Sequence, residues 1–327
     1  MKRFSCPVCQ AEVHFDSLSC LRCGTGLAYA PGPAEFQPLP GARAPCANRG
    51  EIGCNWEAAG PGPRALCEAC ALTDTIANLS VPGNAPRWAR IEGAKRRLLY
   101  SLRRLGLPIE APSGERLRFR LLGDEVLADG SVRRVLTGHD SGVVTLNVAE
   151  ADDATREATR VAMGEPYRTL LGHVRHEVGH FYFDVLVEEG RHRAGFDGLF
   201  GDPGQDYGEA LRRHYDEGPP PGWVDSFVSA YAASHPWEDW AETWAHWLHM
   251  LDGLETAAAY GLAGDVDPYG GASAERLVGA WVPLSIAVNA MNRAMGQADF
   301  YPFVLAPRAV EKLAFVHGLR PGARGAA

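Results

Sequence analysis

After Cys70 the sequence contains no cysteine. That excludes a catalytic thiol or a disulfide from the rest of the chain. Long apolar runs are missing too. No segment reaches the roughly 18 apolar residues that a membrane-spanning helix needs. The opening MKRFSCPVCQ has basic residues but no apolar stretch behind them, so it does not read as a secretory signal. The expected compartment is the cytoplasm. An excess of positive charge is also absent. A net charge of −8 gives the chain as a whole no attraction for nucleic acid or an anionic membrane, and neither is expected as a partner.

What is present begins with the cysteines. All eight precede residue 71. In a reducing compartment such clustering means metal before disulfide. Cys6, Cys9, Cys20 and Cys23 form a CxxC-x10-CxxC pattern. Each pair suits a knuckle that presents two thiolates, and four thiolates make a closed, structural tetrahedral zinc site. Gly24 and Gly26 allow the turns such a knuckle needs. Cys46, Cys54, Cys67 and Cys70 have a less regular spacing, yet a second four-cysteine zinc site is the best reading. If both form, no cysteine is left over. Between them, residues 28–45 are rich in proline, glycine and alanine, and they read as a linker without regular structure.

With 327 residues, 46% of them hydrophobic, the chain can bury a large core and holds more than one folded unit. Residues 86–105 place Trp88, Ile91, Leu98, Leu102 and Leu105 at helical spacing on one face. The other face carries Arg87, Arg90, Lys95, Arg96, Arg97, Arg103 and Arg104, and is expected to be solvated. RLRFRLLGDE (116–125) and SGVVTLNVAE (141–150) read as strands. Three strong helices follow. The first, through RHEVGHFYFD, has Pro166 near its start and Gly190 at its end. The second, through HPWEDWAETWAHWLHML, can be capped by Ser234 or His235, with Pro236, Glu238 and Asp239 suited to its first turn. The third is ERLVGAWVPLSIAVNAMNRAMG. The tryptophans at 237, 240, 244 and 247 read as packing residues, and 196–215 as a connector that borders a cleft. The tail, 321–327, is expected to be disordered.

The chemistry centres on His176-Glu-Val-Gly-His180. Histidines four apart share a helix face and can reach one ion. Glu177 can reach a water on that ion. Zinc brings the pKa of such a water toward about 7, and the glutamate takes its proton. A catalytic zinc wants a third protein ligand and one open position. Glu238 and Glu242 lie one helical turn apart downstream. In the glutamate-zincin arrangement the first carboxylate binds zinc, and the acid four residues later holds a ligating histidine. Asp239, His235, His246 and His249 share the segment and are alternative ligands. Asp184 lies one turn beyond His180 and is expected to support the ligands with Glu242. His246 and His249 read better as packing histidines, and His173 as incidental.

HEVGH followed by EDWAE, with Tyr231 seven residues before Glu238, resembles the catalytic site of the anthrax lethal factor type of gluzincin. That resemblance implies zinc on Glu238 and a hydrogen bond from Tyr231 to the developing oxyanion. More broadly, CPVC…CLRC, CNW, IEGAKRRLL, RHEVGH, FGD, VSAYAASHPWEDWAETWAHWLH and DFYPFVL resemble the bacterial zinc-binding metallopeptidases with an N-terminal zinc-ribbon domain. The expected fold is α+β, with two small four-cysteine zinc modules ahead of a mostly helical zincin-like domain with a small sheet. The expected boundaries are a zinc ribbon at 1–28, a linker at 29–45, a second cysteine module at 46–80 and the peptidase domain at 84–320. The expected function is zinc-dependent hydrolysis of peptide bonds, with one catalytic and two structural zinc ions. The substrate would be a peptide or protein, and the ribbon offers a surface for a protein partner. The alternative is a non-enzymatic zinc-ribbon adaptor that binds protein or nucleic acid, with an inactive zincin scaffold. Glu177, the base that such an adaptor would not need, is present.

Overall fold

A computed structural model describes residues 1–41, 43–162 and 168–322. The chain divides into two compact units, Met1–Leu102 with Leu117–Ala158, and Arg103–Arg116 with Thr159–Ala327. Among the described residues, no helix is long and apolar enough to cross a membrane.

The first unit opens with a short antiparallel pair, β1 (Phe4–Ser5) and β2 (Glu12–Val13). It brackets the first cysteine pair. Gly24, at φ +73°, lets its amide turn back onto the Cys20 carbonyl at 2.9 Å. Residues expected to lack regular structure form a hairpin instead, β3 (Gly26–Ala30) and β4 (Glu35–Leu39), paired from Gly26↔Leu39 to Ala30↔Glu35. The reason lies in Tyr29 and Phe36, which pair across the hairpin and join Phe4, Phe15 and Trp56 in one aromatic core with ring centroids 5.1–6.0 Å apart. Proline and glycine content hid that pair of apolar anchors. A short helix, α1 (Arg49–Ile52), then leads to the second cysteine set.

β5 (Thr73–Thr75) and α2 (Asn84–Arg104) come next. β6 (Arg118–Leu122) is followed by the small hairpin β7 (Glu125–Val126) and β8 (Val132–Arg133). β9 (Gly138–Asp140) and β10 (Val143–Asn147) complete a mixed sheet of order β5-β6-β10-β9. Phe119 and Leu121 on β6 lie beside Val144 and Leu146 on β10 and are buried, while Arg118 and Arg120 point outward. This is period-two alternation.

The apolar face of α2 is buried as its spacing predicts, but its basic face is not simply solvated. Lys95 and Arg96 are buried. Lys95 Nζ sits 2.8 Å from the buried Glu92 carboxylate, also meets the Thr73 hydroxyl, and lies 5.1 Å from the Phe119 ring centroid. The correction has a physical cause: a buried ammonium is tolerated when it is paired and hydrogen-bonded, and the partner Thr73 is remote in sequence.

α3 (Asp153–Ala162) carries the chain from the first unit into the second. α4 (Leu170–Phe183) starts on Thr169, whose hydroxyl accepts from the Gly172 amide at 3.0 Å. Pro166, expected near that start, lies outside the described residues. Every residue from Val174 to Phe183 is buried, so α4 is a core helix. It runs into a π turn, Asp184–Glu188. α5 (Arg193–Phe200) and α6 (Tyr207–Glu217) lead to α7 (Pro236–Ala259). α8 (Ala274–Ala294) and α9 (Pro307–Gly318) follow. The expected disorder of the tail falls mostly outside the described residues.

α4 and α7 approach closely at Gly179. A Cβ there would stand 3.1 Å from Ala241 Cα and 3.1 Å from Trp244 Cδ1. Trp240 Nε1 donates to the Gly179 carbonyl at 2.8 Å, and Trp244 stacks on Tyr182 at 4.6 Å. Trp240, Trp244 and Trp247 are core residues, as expected. Trp237 departs from that expectation. It is half-buried, and its ring lies 3.8 Å from that of His180.

Candidate metal centre

Among the described residues, three groups of side chains can hold a metal ion. Two are the cysteine sets, Cys6/Cys9/Cys20/Cys23 and Cys46/Cys54/Cys67/Cys70. In the first, Sγ atoms of Cys6 and Cys23 lie 3.7 Å apart, and those of Cys9 and Cys20 lie 3.6 Å apart. In the second, Cys54 and Cys67 are separated by 3.6 Å. The Cys67 amide donates to Cys46 Sγ at 3.2 Å, and the Cys70 amide to Cys67 Sγ at 3.4 Å. A tetrahedron with Zn–S bonds of about 2.3 Å has edges of about 3.8 Å, so these separations suit zinc.

The third group is His176, His180 and Glu238, whose donor atoms all lie within 4.8 Å of one another. Each member has a local reason to be there. The two histidines share one face of α4 because they are four residues apart. Glu238 falls in the first turn of α7, where the positive helix end favours a carboxylate. That turn is set by His235, whose Nδ1 accepts from the Trp237 amide at 3.1 Å, and by Pro236 behind it. Of the two caps the sequence allowed, His235 makes this bond. It is committed to capping, and Asp239 is committed to Lys312 Nζ at 2.6 Å.

His176 Nε2 faces Glu238 Oε2 at 2.9 Å, while its Nδ1 meets Glu242 Oε1 at 2.8 Å. His180 Nε2 is 3.8 Å from Glu238 Oε1. Ser229 donates to the second oxygen of Glu242 at 2.6 Å. Tyr207 donates to Glu238 Oε1 at 2.7 Å. Burial alone would raise the Glu238 carboxyl, but the charges of His180 and His176 and the bonds from His176 and Tyr207 outweigh it and hold the group at about 2. Glu242 is held at about 2 in the same way, burial being outweighed by His176, His246 and Ser229. Burial works against a charged His176, yet Glu238 and Glu242 raise its pKa well above the usual value. This field rewards positive charge at His176, and a divalent cation is stabilised by the same two carboxylates.

Glu177 lies beside the ligands rather than among them. Its Oε1 is 3.0 Å from His173 Nε2. Burial opposes its ionisation, but His173, His176 and His180 more than compensate and lower its pKa. His173, discounted in the sequence, is thus the contact of Glu177. Tyr231 begins a short 3-10 turn, and its ring lies 5.9 Å from that of His176. Burial, then Glu238, raises its phenol well above the usual range. Asp184 sits in the π turn, where burial and the charges of Glu115, Glu188 and Glu189 raise it to about 6. His246 and His249 do pack. His246 Nδ1 meets Tyr301 at 2.7 Å, and His249 Nδ1 meets Arg175 at 2.6 Å.

Tyr207 and Ser229 were missed in the sequence. Both sit outside the helices that carry the motif, and no spacing rule ties them to it.

The chain matches two family models. Residues 84–319 match the family described as "Putative zinc-binding metallo-peptidase", and residues 3–81 match a zinc-ribbon domain. Both cysteine sets fall within the second match. Uncharacterised proteins of Mycobacterium bovis and Mycobacterium tuberculosis are 43% identical over 335 residues, covering 97% of this chain and 94% of theirs. No solved structure matches it.

Proposed function

This chain belongs to the zinc-binding metallo-peptidase family, and from that premise we propose that it hydrolyses peptide bonds in a peptide or protein substrate at the His176/His180/Glu238 centre. The observation that carries the reading is the double engagement of His176. Its Nε2 faces the donor group while its Nδ1 is held by Glu242 at 2.8 Å. A carboxylate on the far nitrogen fixes the ring and its tautomer, as it does for ligating histidines generally.

Zinc held by His176, His180 and Glu238 supplies Lewis acidity, polarising a carbonyl and bringing a water's pKa toward about 7. The remaining roles fall to side chains. Glu177, kept ionised by its histidine neighbours, accepts a proton from the attacking water. The water oxygen bonds to the carbonyl carbon, the C–N bond breaks, and Glu177 returns the proton to the departing amine nitrogen. His173 steadies the Glu177 carboxylate at 3.0 Å. Tyr231 stays protonated and donates to the carbonyl oxygen as negative charge builds there. Glu242 orients His176, and Ser229 fixes Glu242. In this proposal Asp184 takes no orienting part. We assign the protein to the cytoplasm, with the zinc ribbon free to dock a protein partner.

The test is cleavage of a mixed peptide library by the zinc-loaded chain, with Glu177→Gln as control. Cleavage by wild type and a loss of about a hundredfold or more in the variant, at unchanged zinc content, is expected. Equal cleavage by both, or none by wild type, would remove the peptidase reading.

A further inference from the structure

A cavity of about 410 Å³ opens beside the metal centre, lined by Phe183, Glu188, Arg193, Pro203, Gly204, Tyr207, His235 and Trp237. Two of its walls are also contacts of the metal ligands. Trp237 lies with its ring 3.8 Å from that of His180, and Tyr207 holds Glu238 at 2.7 Å. The cavity therefore adjoins two members of the metal-binding group. The lining is aromatic and apolar on the side of Phe183, Pro203, Tyr207 and Trp237. Tyr207 and Trp237 meet edge to face at 5.7 Å, a geometry that aromatic side chains favour. The cavity is open to solvent on one side, and its volume is sufficient for a single side chain.

The charged end of the cavity is electrically lopsided. Arg193 is bound to Glu188 at 2.8 Å, Asp197 at 2.6 Å and Asp202 at 3.1 Å. One guanidinium faces three carboxylates, so it has no charge to spare for an anionic ligand, and the surplus there is negative. An acidic side chain meets repulsion.

From this the geometry points to a specificity pocket: the cavity receives an aromatic or long apolar side chain of the residue flanking the scissile bond, and rejects an acidic one. The inference rests on the peptidase reading for its substrate class, but the pocket can be tested by binding alone. A hydroxamate of an N-acetylated amino acid carries one side chain next to a zinc-chelating group. Calorimetry on the zinc-loaded full chain compares the hydroxamates of N-acetylphenylalanine, N-acetylalanine and N-acetylaspartate. The phenylalanine compound is expected to bind about tenfold or more tighter than the alanine compound, and the aspartate compound weaker than alanine. Gly204 lines the cavity, and Gly204→Leu adds a branched side chain at that wall. The nearest atom to a Cβ at Gly204 is Asp202 Oδ1, at 3.1 Å, so that exposed carboxylate must give by a few tenths of an ångström. That variant is expected to lose the phenylalanine preference and keep its alanine affinity within about twofold. Equal binding of the phenylalanine and alanine compounds to wild type overturns the pocket, whatever the variant does. So does no binding by any of them to a chain that carries its third zinc. If the preference holds but no peptide is cut, the pocket stands and the peptidase reading fails alone.

Discussion

Glu242 and His176 are joined through the histidine's Nδ1 at 2.8 Å, on the side of the ring away from Glu238. Removing that carboxylate leaves the ring free to turn and weakens the basicity of its other nitrogen. Glu242→Gln is expected to lower zinc affinity at this centre about ten- to a hundredfold. Ser229→Ala, which frees only one oxygen of Glu242, should cost less. Competition with a chromogenic chelator reads both.

The number of bound ions separates an enzyme from an adaptor. Three donor groups predict three zinc ions in wild type. His176→Ala and Glu238→Ala should each hold two and remain folded, as judged by circular dichroism. An adaptor with an inert scaffold needs only the two thiolate sites, so two ions in wild type would favour it.

The two phenols near Glu238 should part company under mutation. Tyr207 donates to Glu238 at 2.7 Å, so Tyr207→Phe is expected to weaken zinc binding several-fold. Tyr231→Phe should leave the zinc content alone and lower kcat about a hundredfold. Elemental analysis and steady-state rates on the same preparations check the pair.

Gly179 marks a close approach between α4 and α7. Alanine gains about 0.5–1 kcal/mol in helix propensity, but its methyl would press on Ala241 and Trp244 at 3.1 Å. Overpacking of this kind costs about 1–3 kcal/mol. Gly179→Ala is therefore expected to lower Tm in a thermal melt, and an unchanged Tm would show that the helices can part.

Asp184 sets a pH dependence. Burial and its carboxylate neighbours raise its folded pKa to about 6, above the usual unfolded value of about 3.9. The folded chain then binds this proton more tightly than the unfolded chain does. The penalty is absent below about pH 3, grows between the two values, and is complete above about pH 7. Asp184→Asn should stabilise the chain by about 1 kcal/mol at pH 8, after allowance for partial exposure, and by only a few tenths of that at pH 4. Urea melts at the two pH values test this.

Much of the centre could be read from spacing because spacing along a helix is geometry. His176 and His180 share a face by count alone, and Glu238 sits where a helix start favours a carboxylate. The cysteine pairs are legible for a similar reason, since a knuckle is a local structure. What spacing could not supply were contacts between remote segments. Lys95 looked solvated because Thr73 is far off in the sequence. The 28–45 stretch looked irregular because the partners of Tyr29 and Phe36 lie on both sides of it. His173 looked incidental because its role depends on which way Glu177 turns.

The aromatic core around Tyr29 has one more consequence. Phe4 stands next to the first cysteine set and Trp56 next to the second, and both rings pack on Tyr29, at 5.9 and 5.3 Å. Order at either cysteine set therefore firms a surface that the other leans on. Loading one should prepare its neighbour, so stripping with a chelator would proceed as a steep, sigmoidal step, with singly loaded molecules scarce throughout.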